Sequence, residues 1–142
     1  MIRFECDYAE GAAPQLLERL TRTNLEQTPG YAVDGHCQRA RDLIRAACAA
    51  PQAEVEFLVG GTQANQTVIS AALRPYQGAL CAQTGHINVH ETGAIEATGH
   101  KVLPLPSQDG KITPKQVEQF CAVHWADPTR EHIVQPGLGG LR

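Results

Sequence analysis

The sequence predicts an α/β fold, with a mainly parallel sheet carrying helices on its faces as a three-layer sandwich. Three observations predict it. Residues 55–73 read V-E-F-L-V-G-G-T-Q-A-N-Q-T-V-I-S-A-A-L. An apolar run ends at Val59, two glycines and a threonine follow, and Ala64, Val68, Ala71 and Ala72 then recur at helical spacing. Short apolar runs at 78–82 and 101–105 continue the alternation of strand and helix patterns. Thr113-Pro114-Lys115-Gln116 has the spacing of a capping box, with proline at the first helical position.

At 142 residues the chain is one domain or part of one, and is long enough to bury a core. Twelve Lys and Arg stand against fifteen Asp and Glu, both scattered, which argues against nucleic acid as the main partner. No apolar run approaches the roughly 20 residues of a membrane span. The opening M-I-R-F-E-C-D does not read as a secretory signal. Five cysteines without a C-x-x-C pair read as reduced thiols, so the expected compartment is the cytoplasm.

In chain order, residues 4–8 are expected to be extended and 10–13 to turn. Pro14 then starts a helix whose apolar stripe is Leu16, Leu17 and Leu20, ending near Asn24. Residues 27–35 form a polar connection with Pro29, Gly30, Tyr31 and Gly35. A loop of that length is either functional or a plain surface link. A helix over 36–49 turns Cys37, Ala40, Ile44, Ala47 and Cys48 inward and Arg39, Arg41 and Arg45 mostly outward, with Pro51 just beyond its end. After the strand-turn-helix unit come a buried strand at 78–82 and a strand at 101–105, where Pro104 marks an end or an edge. Asp109-Gly110 is a turn. The helix over 114–124 buries Val117, Phe120 and Cys121, and 132–135 forms one more strand. Residues 136–142 read P-G-L-G-G-L-R, where a further helix would be expected. The expected division is therefore 1–136, with 137–142 as a divergent or truncated tail.

Two stretches carry chemistry. At the glycine turn, backbone N–H groups of the first helical turn point at one spot, where the helix dipole favours negative charge. Gly60 and Gly61 let a ligand approach closely, and Thr62 is placed to cap the helix or donate to an anion. Both phosphate binding and an ordinary capped turn fit. The Gly-Lys-Ser/Thr ending of a nucleotide loop and a full dinucleotide fingerprint are missing. The second stretch, 83–99, holds His86 and His90 four residues apart, with Glu91 beside them. Zinc ligation, one histidine facing a cofactor, and a structural turn are the three readings. His100, His124 and His132 are read as structural or exposed. Ligands of parallel α/β sheets gather at the carboxyl ends of the strands, so both turns should share one rim. A phosphate site and an imidazole there suit a phosphate-bearing aromatic cofactor.

These residues resemble a known family. G-G-T-Q-A-N followed by G-H-I-N-V-H-E-T-G-A is similar to the threonine aldolase and β-eliminating lyase group, as are F-E-C-D-Y-A-E-G-A, E-Q-T-P-G-Y and G-H-K-V-L. These are fold type I enzymes that use pyridoxal 5'-phosphate. The resemblance implies an incomplete large domain of that fold and a lyase that cleaves β-hydroxy-α-amino acids such as threonine to glycine and acetaldehyde. Another fold type I activity or a non-catalytic fragment is the alternative. It implies that Gly61, Thr62 and Gln63 bind the phosphate and that His86 stacks on the pyridine ring and assists proton transfer. Cys6, where many members have serine, Asp7 and Tyr31 fall on substrate-side positions. Glu91 falls on an acidic position of unassigned role. The family's Schiff-base lysine lies downstream of these motifs, and Lys101, Lys111 and Lys115 do not match its setting, so these residues alone are expected to be inactive. The resemblance also implies a homo-oligomer, a dimer or tetramer. An incomplete sheet should expose an unpaired edge, which favours self-association.

Overall fold

The computed structural model describes Cys6 and residues 8–139. The chain divides into two compact units, Met1–Phe57 and Leu58–Arg142. Most of the expected extended segment at 4–8, including Asp7, lies outside the described residues.

In the first unit, α1 (Pro14–Thr23) starts with proline at its first position and stops at Asn24. Its leucine stripe exists, but Leu16, Leu17 and Leu20 are exposed. The helix α2 (Gly35–Ala47) is capped by Asp34, whose carboxylate accepts from His36 N at 2.8 Å and Cys37 N at 2.9 Å. Hydrogen bonding to the carboxylate, led by the Cys37 side chain and joined by these backbone N–H groups, lowers the Asp34 pKa to about 2. The helix ends two residues before the expected Ala49, which adopts φ 49° beyond the cap at Cys48.

The sidedness of α2 differs from expectation. Cys37 and Ala40 are half-buried, but Ile44, Ala47 and Cys48 are exposed. Arg41 and Arg45, expected outward, fold onto the backbone instead. Arg41 Nε donates to Val55 O at 3.0 Å and its Nη1 to Ala32 O at 2.7 Å. Arg45 Nε donates to Ala53 O at 2.8 Å. The Arg41 guanidinium also lies 5.4 Å from the Phe57 ring centroid. A planar fork with five donors suits carbonyls that no strand satisfies.

That leads to the largest correction. Residues 55–59 form no strand. The segment has the right residues for one, but no described strand pairs with it, and Val59 is 96% exposed. A strand is defined by its ladder, and apolar β-branched residues do not supply one alone.

The second unit is built on a three-stranded parallel sheet in the order β2-β1-β3. It runs α3 (Gly61–Ala72), β1 (Gln77–Ala82), the short α4 (His86–Val89), a 3-10 turn at Glu96–Thr98, β2 (Lys101–Leu105) and α5 (Pro114–Ala126). A second 3-10 turn at Arg130–His132 then precedes β3 (Gln135–Gly139). The central β1 is buried from Gly78 onward, as its unbroken apolar run implies. Ile69 of α3 and Leu73 at its C-cap pack with Ala79 and Cys81 of β1, Ile87, Ile95 and Val102 in one core. Burial raises the Cys81 thiol pKa, with Glu96 adding to it.

Thr113 and Gln116 form the capping box at α5. Val117, Phe120 and Cys121 are only half-buried, and His124 is the buried residue of that helix, edge-on to Trp125. The last strand begins at Gln135 rather than His132, which closes the 3-10 turn before it. It runs through Gly139, so the first three residues of the glycine-rich tail are strand. Gly137 explains the register shift there. Gly78 pairs with Pro136 and Ala79 with Leu138, leaving Gly137 as the extra residue of a bulge. A Cβ on Gly137 would lie 2.7 Å from Leu73 Cδ2 and 2.8 Å from Gln77 Cβ. No helix among the described residues is long and apolar enough to cross a membrane.

Candidate active site

The glycine turn enters α3 with Gly60 as the N-cap. Gly60 sits at φ −174° and ψ 172°, extended backbone open to any residue. The glycines are therefore not needed for torsion. Their contribution is open space, since a Cβ on Gly60 or Gly61 meets nothing within 4 Å. Thr62 does not cap the helix as one reading held, because it is the second helical residue and the N-cap makes no side-chain bond. The first helical turn keeps its orphan N–H groups at Gly61, Thr62 and Gln63. Gln63 reaches back instead, its Oε1 accepting from Val59 N at 2.8 Å. Thr62 is exposed, next to those amides.

His86 opens α4 just past the carboxyl end of β1. Gly85 before it is packed tightly: a Cβ there would lie 2.9 Å from Ala82 O and 3.1 Å from Cys81 Cβ. Gln83 N donates to Leu105 O at 2.8 Å, and a Cβ on Gly110 would lie 3.5 Å from Thr84 Oγ1. The loops after β1 and β2 therefore meet on one rim. The His86 Nδ1 lies 2.8 Å from Glu91 Oε1, and the same oxygen accepts from Asn65 Nδ2 at 2.6 Å. Gln66 Nε2 donates to Ala94 O at 3.0 Å. Asn65 stands three residues after Thr62, about 4.5 Å further along the helix axis. The start of α3 and the imidazole thus belong to one hydrogen-bonded assembly. Asn65 was missed in the sequence. Its place one turn beyond Thr62, on the same helix face, is the signal that could have found it.

The histidine pair is close: the rings of His86 and His90 stand 5.6 Å apart between centroids. Among the described residues no group of three His, Cys, Asp or Glu is arranged to hold a metal ion. His100 is buried with Nδ1 3.1 Å from Gln77 O, a structural role, while His132 is exposed.

Tyr31 and Cys6 belong to the other unit. Tyr31 is fully exposed and sits at φ 62°, followed by Ala32 at φ 57°. Two consecutive non-glycine residues in the left-handed region are strained. The Arg41 bond to Ala32 O pins that backbone. Cys6 is half-buried and free, and Asp7 lies outside the described residues. Lys101, Lys111 and Lys115 are all exposed.

Comparison with known proteins joins these observations. The family model described as "Beta-eliminating lyase" matches residues 6–134. The low specificity L-threonine aldolase of Pseudomonas sp. (strain NCIMB 10558) is 28% identical over 139 residues, covering 94% of this chain and 40% of the relative. The enzyme of the same name from Pseudomonas aeruginosa is 27% identical over 132 residues, covering 89% and 38%. A solved structure of Leishmania major threonine aldolase superposes with a TM-score of 0.85 at 44% identity, covering 94% of this chain and 38% of that one. The chain thus spans about two fifths of the length of the relatives it matches. With the α/β fold shared and the family match running through nearly all of its length, the chain belongs to the beta-eliminating lyase family.

Proposed function

We propose that this chain forms the cofactor-facing part of a pyridoxal-phosphate-dependent lyase that cleaves β-hydroxy-α-amino acids, with threonine as the leading substrate. The observation that supports it most is the hydrogen-bonded link from the uncapped start of α3, through Asn65 and Glu91, to His86. The donor set suits a phosphate monoester: orphan amides at Gly61, Thr62 and Gln63, the Thr62 hydroxyl, and two glycines with open space. His86, exposed at the same assembly, is the group to cover an attached pyridine ring and move a proton at its Nε2. Pyridoxal phosphate, when bound, supplies an electron sink that stabilises a carbanion. Cys6, Asp7 and Tyr31 are carried as substrate-side residues on the resemblance.

None of the three lysines stands in the family's Schiff-base setting, so we infer that these residues alone hold the cofactor without a covalent bond and do not turn over threonine. The dimer or tetramer, and the cytoplasmic setting, are part of the same proposal. The exposed leucines of α1 support the oligomer.

Thermal unfolding with added pyridoxal phosphate tests the reading. Ligand binding to the folded form raises the melting temperature by mass action. The expected result is a rise for the unaltered chain and a smaller one for Thr62→Ala, with no borohydride-sensitive visible band. No rise at millimolar cofactor overturns the cofactor reading. A stoichiometric, reducible band overturns the inference of non-covalent binding.

A further inference from the structure

Among the described residues, Glu91 is the carboxylate bonded to the His86 ring, and it is sealed from solvent: its side chain is 0% exposed. One oxygen, Oε1, takes both polar contacts, from Asn65 Nδ2 and from the His86 ring, while Oε2 is buried without a partner among the described residues. Burying a carboxylate this deeply is costly, so the arrangement needs compensation by strong, directed bonds. The two contacts of Oε1 come from different elements. Asn65 lies on α3, 26 residues earlier in the chain, and His86 opens α4. Thr92 and Gly93 after Glu91 both sit at positive φ, 55° and 74°, which fixes a sharp reversal directly behind the carboxylate. The backbone is thus bent to deliver this side chain inward.

Resting on the reading that His86 is the acid-base group, we propose that Glu91 is its positioning residue. It holds Nδ1–H, so that the ring keeps one tautomer and presents Nε2 as a free acceptor toward the rim. An ionised carboxylate has only acceptor capacity, so the nitrogen facing it must carry the proton. Neutral imidazole has one proton to place, and fixing it at Nδ1 leaves the lone pair at Nε2. Asn65 supplies the second contact. It orients the carboxylate plane and ties it to the helix whose first turn holds the proposed phosphate site. His90, whose ring stands 5.6 Å away, is the other titratable group beside the imidazole, and it makes no hydrogen bond to Glu91. The sequence pattern H-x-x-x-H-E thus separates into a working ring, a neighbour and an orienting carboxylate, with no metal needed to explain it.

Nitrogen-15 correlation spectra of the histidine rings test this without any cofactor, because protonated and unprotonated ring nitrogens resonate far apart. At a pH where the rings are neutral, the His86 Nδ1 signal is expected in the protonated range and Nε2 in the acceptor range. In Glu91→Ala the preference should be lost, with Nε2 becoming the protonated site. In Glu91→Gln the side-chain carbonyl still accepts, so the tautomer should be retained. An Nε2–H tautomer in the unaltered chain overturns the proposal, even should the alanine variant not fold. An unchanged tautomer in a folded Glu91→Ala overturns it equally. Titration of the same sample with inorganic phosphate, read at the Gly61, Thr62 and Gln63 amides, tests the site reading separately. Silent amides with the stated tautomer count against the cofactor, whereas responsive amides with the wrong tautomer count against Glu91.

Discussion

In the unit Leu58–Arg142, Ile69 and Ile95 are fully enclosed, while in the unit Met1–Phe57 the leucines of a well-formed α1 lie on the surface. Both units form helices of ordinary length, and both have an apolar stripe to offer. They differ in what closes over the stripe. Neither α1 nor α2 buries a single residue. What defines them is local: proline at the first position of α1, the Asp34 cap on α2, and guanidinium groups reaching backbone carbonyls. The second unit adds to such local signals a core shared by α3, β1, β2 and the crossover between the strands. Helix formation is written in caps and spacing, whereas resistance to unfolding is written in enclosure, and here the two are separable. Short helices without tertiary packing are marginal in water. Amide exchange should therefore be faster throughout α1 and α2 than in β1.

Substitutions can break or sharpen that contrast. The largest effect is expected from Ile95→Ala or Ile69→Ala, which should each destabilise the second unit by about 2–5 kcal/mol in urea unfolding. Gly78→Ala comes next. Its Cβ would lie 2.6 Å from Lys101 O and 2.9 Å from Val134 Cγ1, so the sheet itself must shift. Overpacking of this kind costs about 1–3 kcal/mol, read as a lower melting temperature. Thr113→Ala removes one half of the α5 capping box and should cost about 1 kcal/mol.

For the first unit, the test is acid. The Asp34 carboxyl has its pKa lowered to about 2 from 3.8. Its contribution to α2 is complete above the unfolded value and is lost as pH falls through the folded one. Helical signal from α2 should therefore weaken as pH drops from 3.8 toward 2, and Asp34→Ala should abolish that dependence. The smallest effect is expected from Leu17→Ala, within about 0.5 kcal/mol, because the side chain is already in water. A loss comparable to that of Ile95→Ala would show that the first unit has an enclosed face after all.

The sequence made some of this legible and hid the rest for physical reasons. The strand at 78–82 was plain, because a buried parallel strand reads as a continuous apolar run, and the one at 101–105 was marked as an edge by Pro104. The α5 start was plain because capping chemistry is local. Where partners are distant in sequence, the reading failed. Residues 55–59 look like a strand, but pairing is decided elsewhere in the chain. Gly137 looked like part of a divergent or truncated tail, because its reason is contact with Leu73 and Gln77 across the fold. Arg41 and Arg45 looked outward because helical spacing does not show the carbonyls they reach. In the candidate site, Thr62 and His86 were singled out by motif. The part Asn65 and Glu91 play in joining them needed a contact spanning 26 residues.

The apolar stretch at 55–59, outside any strand or helix, straddles the boundary between the two units. Such a stretch is what proteases and chaperones read as unfinished protein. Brief digestion with an enzyme that prefers aromatic and leucine sites should nick at Phe57 or Leu58 before anywhere in β1, and the two products should correspond to the two units. Shielding of that stretch by another strand, from whatever source, would be visible as a loss of the nick.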